Sequence, residues 1–350
     1  MKSFLIIPCI AFIIFNCNAQ KHTLYVGTYT KGDSEGIYRY DFDSKTGILD
    51  NKQLAAKTKN PTFIDFSPNK KHLYASGSNA IKSFEIKTDK NLKFINEESC
   101  EGKGPCHIVV NKKGTKAVVS NYSSGNIAIY NINNNGSVNK ASQIFDHNTE
   151  NEKAKAHSAL FFKKDLFIAD LGRNALYQYI LKDDDYTLKS TSVVKMENNP
   201  GPRHFSMTNN GKFIYIINEY GNSITSIKRT KTSFEQIDFD STLRDNYEGK
   251  SLCADIHLSK DERFLYGSNR GENTIAVFKR NKKSGTIQKI QSIAVHGDFP
   301  RNFKLDPSGK FLLVANSKSK NITVFKIDKT TGKLAFLSAV NCPSPVCLLF

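Results

Sequence analysis

The chain has 350 residues and a formal net charge of +17, from 50 Lys and Arg against 33 Asp and Glu. Only nine of the cations are Arg and no basic run carries interleaved aromatics, so the charge reads as a solvated Lys surface and excludes nucleic-acid binding. A field of this sign still suits an acidic small-molecule substrate.

Residues 1–19 read as an export leader: Lys2, an apolar run from Phe4 to Phe15, then Cys17-Asn18-Ala19 before Gln20. The run is short for a membrane span, and no other stretch could cross a bilayer. Cys17 offers a lipid anchor, but Asn16 in front of it is a poor small-residue match. The expectation is an exported protein, periplasmic or secreted, whose folded part covers 20–350. Five cysteines follow the leader: Cys100, Cys106, Cys253, Cys342 and Cys347. An odd number excludes complete internal pairing. Bridges Cys100–Cys106 or Cys342–Cys347 are open to it, but small buried hydrophobes are the preferred reading. There is no CxxC or HExxH, so neither a metal nor a cofactor is expected.

The segment 22–42 starts in the middle of a repeat that becomes complete farther on. PTFIDFSPNKKHLYAS (61–76), PCHIVVNKKGTKAVVSNY (105–122), HSALFFKKDLFIAD (157–170), GPRHFSMTNNGKFIYIINEYG (201–221), CADIHLSKDERFLYGSNR (253–270) and PRNFKLDPSGKFLLVANS (300–317) each read as a β-hairpin. The Asn-Gly turn at Asn210-Gly211 between alternating apolar runs is the strongest of these signals. The second strands end at Ser76, Asn121, Asp170, Asn218, Asn269 and Asn316, at intervals of 45, 49, 48, 51 and 47. A third strand follows each hairpin, at 81–86, 126–132, 175–180, 223–228, 274–279 and 321–327, and a variable fourth strand follows it, as at 92–96 and 234–238. Self-similarity at this period in strand alone is the signature of a β-propeller. The opening strand missing at the N-terminus appears at 343–350 as PSPVCLLF. The fold expected is therefore all-β, a seven-bladed β-propeller whose C-terminal strand closes the N-terminal blade and removes an exposed edge. The longer charged loops 146–156 and 244–251 each precede an opening strand and could flank the channel mouth.

A repeat is its own control. Scaffold positions hold similar residues in every blade, whereas positions that do chemistry differ. One variable position opens the innermost strand: Thr62, Cys106, His157, Arg203, Ala254 and Arg301. The other follows the second strand: Tyr122, Leu171, Glu219, Arg270 and Ser317. Folding 201–221 about Gly211 sets Arg203 against Glu219. Three of the nine Arg thus reach one rim of the channel, and Arg is suited to bidentate carboxylate or phosphate recognition. Each has a plainer reading. Arg203–Glu219 could be a structural pair, and Arg270 could pair with Asp255 or Glu272. His107, His204 and His257 could be hydrogen-bonded packing residues, and the recurrent Asn121, Asn218, Asn269 and Asn316 strand-end scaffold. Different charges gathered on one rim favour a site there.

The motifs GPCHI (104–108), AHS (156–158), ADLG (169–172), GPRH (201–204), NE (218–219), ADIH (254–257), SNRG (268–271) and FPRNF (299–303) together resemble the lactonase-type seven-bladed propellers. That family includes propeller-type 6-phosphogluconolactonases and the fungal 3-carboxymuconate lactonizing enzyme. The resemblance covers roughly 23–350 and implies His157, Arg203, Glu219 and Arg270 as catalytic residues. Arg301, Tyr122, Asn121 and His107 are added as substrate-contacting residues. It implies a lactonase without metal or cofactor, 6-phosphogluconolactonase-like, acting as a monomer on a small anionic sugar lactone. Arg203 and Arg270 would hold an anionic group and oppose charge growing on the carbonyl oxygen. Glu219 or His157 would activate water, with His157 the better acid. The alternatives are lactonization of a carboxylated substrate on the same rim, and an exported propeller that binds glycans or protein without catalysis. The last predicts that Arg203, Glu219 and Arg270 are mutually paired and closed to solvent.

Overall fold

The computed structural model describes residues 21–189, 194–230 and 233–350, and the leader at 1–19 lies outside them. Among the described residues there is no helix. Seven antiparallel sheets stand in a ring, six of four strands and one of five. In each, strands follow one another outward from the channel in chain order. The exception is the first blade, whose innermost strand is Pro345–Leu349, paired to Lys21–Thr28 through Tyr25↔Leu349 and Val26↔Leu348. The closing strand is thus the C-terminal one, as the displaced repeat implies.

The middle strands are apolar on both faces because each sheet is covered by its two neighbours. Phe213–Asn218 and Phe311–Asn316 are buried throughout. The seam between last and first blades is filled by Tyr40, Phe42, Phe311 and Leu348, with the Phe42 and Phe311 rings edge to face at 5.7 Å. The fourth strands alternate half-buried and exposed residues after a buried first one, as suits an outer edge. All five cysteines are buried and unpaired, so neither bridge open to the sequence forms.

The recurrent strand-end asparagines bind inside the blades. The Asn218 amide donates to Ser223 and Thr225 Oγ atoms, and that of Asn316 to Thr323 Oγ1. Asp170 takes this place in the fourth blade. It accepts from His147 Nδ1 at 2.8 Å and from the backbone N–H of Lys155 and Arg173, while His147 Nε2 meets the Tyr179 hydroxyl at 2.6 Å. This buried cluster fixes the loop 147–155 that leads into the strand Ala156–Phe162.

A feature absent from the sequence reading decides what faces the channel. In six of seven innermost strands the register slips by one residue near the start, a β-bulge. The extra residue is Cys106 between Pro105 and His107, His157 between Ala156 and Ser158, Arg203 between Pro202 and His204, and Arg301 between Pro300 and Asn302. Without the slip, consecutive side chains would point to opposite faces of the blade. With it, both reach the channel.

Because Asp170 is fully buried, removing its His147 partner strands a carboxylate that keeps only two backbone donors. His147→Ala should therefore cost about 3 kcal/mol in urea unfolding. A loss well under 1 kcal/mol would show that the cluster does not hold the loop.

Candidate active site

The channel opens at both ends. One mouth holds a cavity of about 430 Å³ lined by Thr62, Cys106, Tyr122, His157, Glu219, Arg270 and Arg301. The other holds a cavity of about 710 Å³ lined by His107, Ser158, His204, Asp255, His257 and Asn302. Three of the four bulge residues and their successors divide between the two: Cys106 and His107, His157 and Ser158, Arg301 and Asn302. The larger cavity is not where the rim charges collect.

At the smaller mouth Glu219 sits between two arginines. Its Oε2 is 2.9 Å from Arg203 Nε and 2.9 Å from Arg270 Nη2. The Arg203 contact is ionic rather than a directed hydrogen bond, because the Nε–H does not point at the oxygen. Arg203 Nη1 donates instead to the Ala254 carbonyl at 2.5 Å, and Arg270 Nη2 to the Cys253 carbonyl at 2.7 Å. Both guanidinium groups are thereby anchored to the start of the next innermost strand, Leu252–Leu258. Glu219 is tied by its own backbone to Gly201 and Cys253. Arg203 is 1% exposed and lies beneath the carboxylate, whereas Glu219 and Arg270 reach the cavity.

Arg301 stands over the Tyr29 ring at 5.6 Å. Among the described residues no carboxylate lies within ion-pair distance of it. His157 is buried, edge to face with Tyr122 at 5.8 Å. Lys155 bridges the aromatic rim, 5.4 Å over Tyr122 and 5.9 Å over Tyr220, and donates to the Tyr220 hydroxyl. Two buried nitrogens on residues lining this cavity have no hydrogen-bond partner, His157 Nδ1 and Arg270 Nε. Unsatisfied buried polar atoms are rare in folded proteins, and two beside one cavity mark a place prepared for another molecule.

Burial, with Arg203, His204, Arg301 and His107 nearby, holds His157 well below its ordinary imidazole range. The ring is neutral at pH 7. Burial and the neighbouring Arg270 and Arg301 push Arg203 down to about 9. Burial lowers Arg270 as well, against the pull of Glu219. Burial pushes the Cys106 thiol up to about 12, so it is no ready nucleophile.

The structure brings together His157, Arg203, Glu219, Arg270, Arg301 and Tyr122. It does not bring Asn121 or His107 to them. Asn121 is fully buried and its amide donates to the Cys100 carbonyl, which makes it scaffold like its counterparts. His107 follows a bulge and faces the other mouth, its ring tilted against Phe63 at 4.1 Å. Arg270 pairs with neither Asp255 nor Glu272: Glu219 takes it, and Glu272 pairs with Arg244 at 3.1 Å. The reading missed Lys155 and Tyr220, although the charged loop before His157 and the Tyr after the NE motif were visible.

Comparison with known proteins finds relatives along almost the whole chain. The family described as lactonase, 7-bladed beta-propeller, matches residues 23–350. A 6-phosphogluconolactonase of Bacillus subtilis is 33% identical over 94% of this chain and 98% of its own length. One from Formosa agariphila is 33% identical over 89% and 94%. The structure of a periplasmic gluconolactonase from Pseudomonas aeruginosa superposes with a TM-score of 0.87 at 26% identity, covering 94% of this chain and 98% of that one. The chain belongs to the seven-bladed β-propeller lactonase family.

Proposed function

We propose that the protein is an exported lactonase that hydrolyses a sugar lactone at the smaller mouth of its channel, with side chains alone doing the chemistry. The observation that carries this is an excess of positive charge at one mouth: one carboxylate among three arginines, beside an uncharged imidazole. Charge grows on the carbonyl oxygen as water adds to a lactone. Fixed cations aimed at such a charge are commonly the largest catalytic contribution, about 3 kcal/mol for one good donor. Arg270, already held by Glu219 and the Cys253 carbonyl, needs little reorganisation to meet it.

The neutral state of His157 changes its role. It starts as a base rather than an acid, taking a proton from the attacking water and returning it to the ring oxygen as the C–O bond breaks. Proton transfer of this kind contributes about 10²–10⁴-fold. Glu219, locked between Arg203 and Arg270, holds the two cations at a spacing their mutual repulsion would otherwise widen. The free guanidinium of Arg301 is placed for an anionic substituent, such as a phosphate or carboxylate distant from the ring carbonyl. The binding-only reading requires the three charges to be paired and closed. They are paired, but Glu219 and Arg270 line the cavity, and the Arg270 Nε there has no partner. The leader at 1–19 supports action in the periplasm or outside the cell.

Two outcomes follow for purified mature protein, with spontaneous hydrolysis subtracted. Since a depressed imidazole stays neutral in mild acid, kcat/KM should hold level from neutral pH to well under 6.5 and fall only in stronger acid. His157→Gln should abolish that acid limb together with most of the rate. An acid limb at or above pH 6.5 would contradict His157 as the base. Arg301→Ala should raise KM for 6-phosphogluconolactone about tenfold or more relative to gluconolactone. An equal change for both would remove Arg301 from recognition of the anionic group.

A further inference from the structure

We propose that the smaller mouth holds a second subsite, over the second blade, for a further uncharged sugar unit linked to the lactone ring. The inference rests on the lactonase reading and adds the class of substrate to it. The reaction itself is unaltered: water adds to the carbonyl carbon, the ring C–O bond breaks, and the link to the second sugar stays intact.

The wall of this mouth is uneven. The residue that follows the second strand stands on the rim, and in the later blades it is Tyr122, Leu171, Glu219, Arg270 or Ser317. In the second blade the equivalent place, directly after Ser76, is Gly77, which presents no side chain. A Cβ there would collide with the Asn60 carbonyl, so the chain keeps this place bare. The turn beyond it is the tight pair Ser78-Asn79, left-handed at φ 51° and 60°, between paired Gly77 and Ala80. The innermost strand of this blade also keeps a regular register, Phe63↔Ser76 and Ile64↔Ala75, so it sends no bulge residue to the mouth as the fourth and fifth blades do. The cavity extends from the catalytic cluster to this gap, where Gly77, Ser78 and Asn79 line it between Tyr29 of the first blade and Tyr122 of the third. At about 430 Å³ it falls in the range of about 300–1,000 Å³ that takes drug-sized ligands, which is more room than one lactone ring fills.

The chemistry of the gap differs from that of the cluster. Every residue that the first three blades contribute to the cavity is uncharged. Two of them are amides fixed through their oxygens. Asn60 Oδ1 accepts from the Thr30 backbone N–H at 2.9 Å and from its hydroxyl at 3.2 Å, and Asn79 Oδ1 accepts from the Gly104 N–H at 3.3 Å. Neither NH₂ group donates to another described residue, so two oriented donors are left for a ligand. Oriented amide donors between two tyrosines suit the hydroxyl oxygens of a sugar. A phosphate or carboxylate gains more from the guanidinium of Arg301 at the charged end. The two ends of the cavity thus serve different substituents of one lactone ring.

The test compares gluconolactone with the δ-lactone of cellobionic acid, which adds one glucosyl unit, using the mature protein with spontaneous hydrolysis subtracted. kcat/KM should be about tenfold higher for the larger lactone, the yield of two net hydrogen bonds. Asn79→Gly keeps the left-handed turn and removes one amide, so the preference should shrink. Asn79→Trp fills the gap, so the preference should vanish or reverse. Both variants should leave kcat/KM for gluconolactone unchanged, and the glycine variant decides alone if the tryptophan variant does not fold. Equal kcat/KM for the two lactones in the wild type, or variants that alter both lactones alike, overturns the subsite and leaves the lactonase standing. A wild-type protein inert on both of these and on 6-phosphogluconolactone overturns the lactonase reading and the subsite with it.

Discussion

A one-residue slip near the start of the innermost strands governs what this channel can hold. A regular strand would send alternate residues into the blade and leave one side chain in two for the channel. The bulge places two consecutive residues there, and they part toward opposite mouths. Arg203 meets Glu219 at one end while His204 meets Asp255 at the other. The same device supplies His157 and Arg301. From the second strand, Asn121 and Asp170 tie down the segments that lead into the innermost strands, through the Cys100 carbonyl and the Lys155 N–H.

The site is an exercise in like charges kept close. Burial, with Arg270 and Arg301 close by, depresses Arg203, and burial with Arg203 and Arg301 does the same to the imidazole. One carboxylate cannot neutralise three cations, and the remainder is available to an anion that forms during reaction or arrives with the substrate. The carbonyls of Cys253 and Ala254 fix two of the guanidinium groups without cancelling their charge. Neutral His157 follows from the same crowding, because a cationic ring there would add a fourth positive charge to a buried cluster.

The repeat period, the seven blades and closure by the C-terminal strand were legible because they rest on apolar alternation and turn residues, which are local. The comparison of blades also isolated Arg203, Glu219 and Arg270, since residues that break a repeat need no structure to be seen. Hairpin arithmetic paired Arg203 with Glu219 correctly for an incomplete reason: it assumed a regular register. That assumption hid the bulge, and with it the separation of Cys106 from His107. It also left Asn121 on the rim in the reading, when its amide is spent inside the blade. The role of His157 was not legible, because its protonation depends on burial and on Arg203 and Arg301 from two other blades. Lys155 escaped notice because its position depends on the His147–Asp170 cluster rather than on the repeat.

The central claim is that the arginine–glutamate cluster at the smaller mouth makes this propeller a lactonase. The most direct test is hydrolysis of a panel of sugar lactones, phosphorylated and not, by the mature chain beside Arg203→Ala. Spontaneous ring opening makes that variant the necessary control. The account predicts turnover by the native chain that falls to the background rate in Arg203→Ala. Equal rates in the two proteins on every lactone would contradict it.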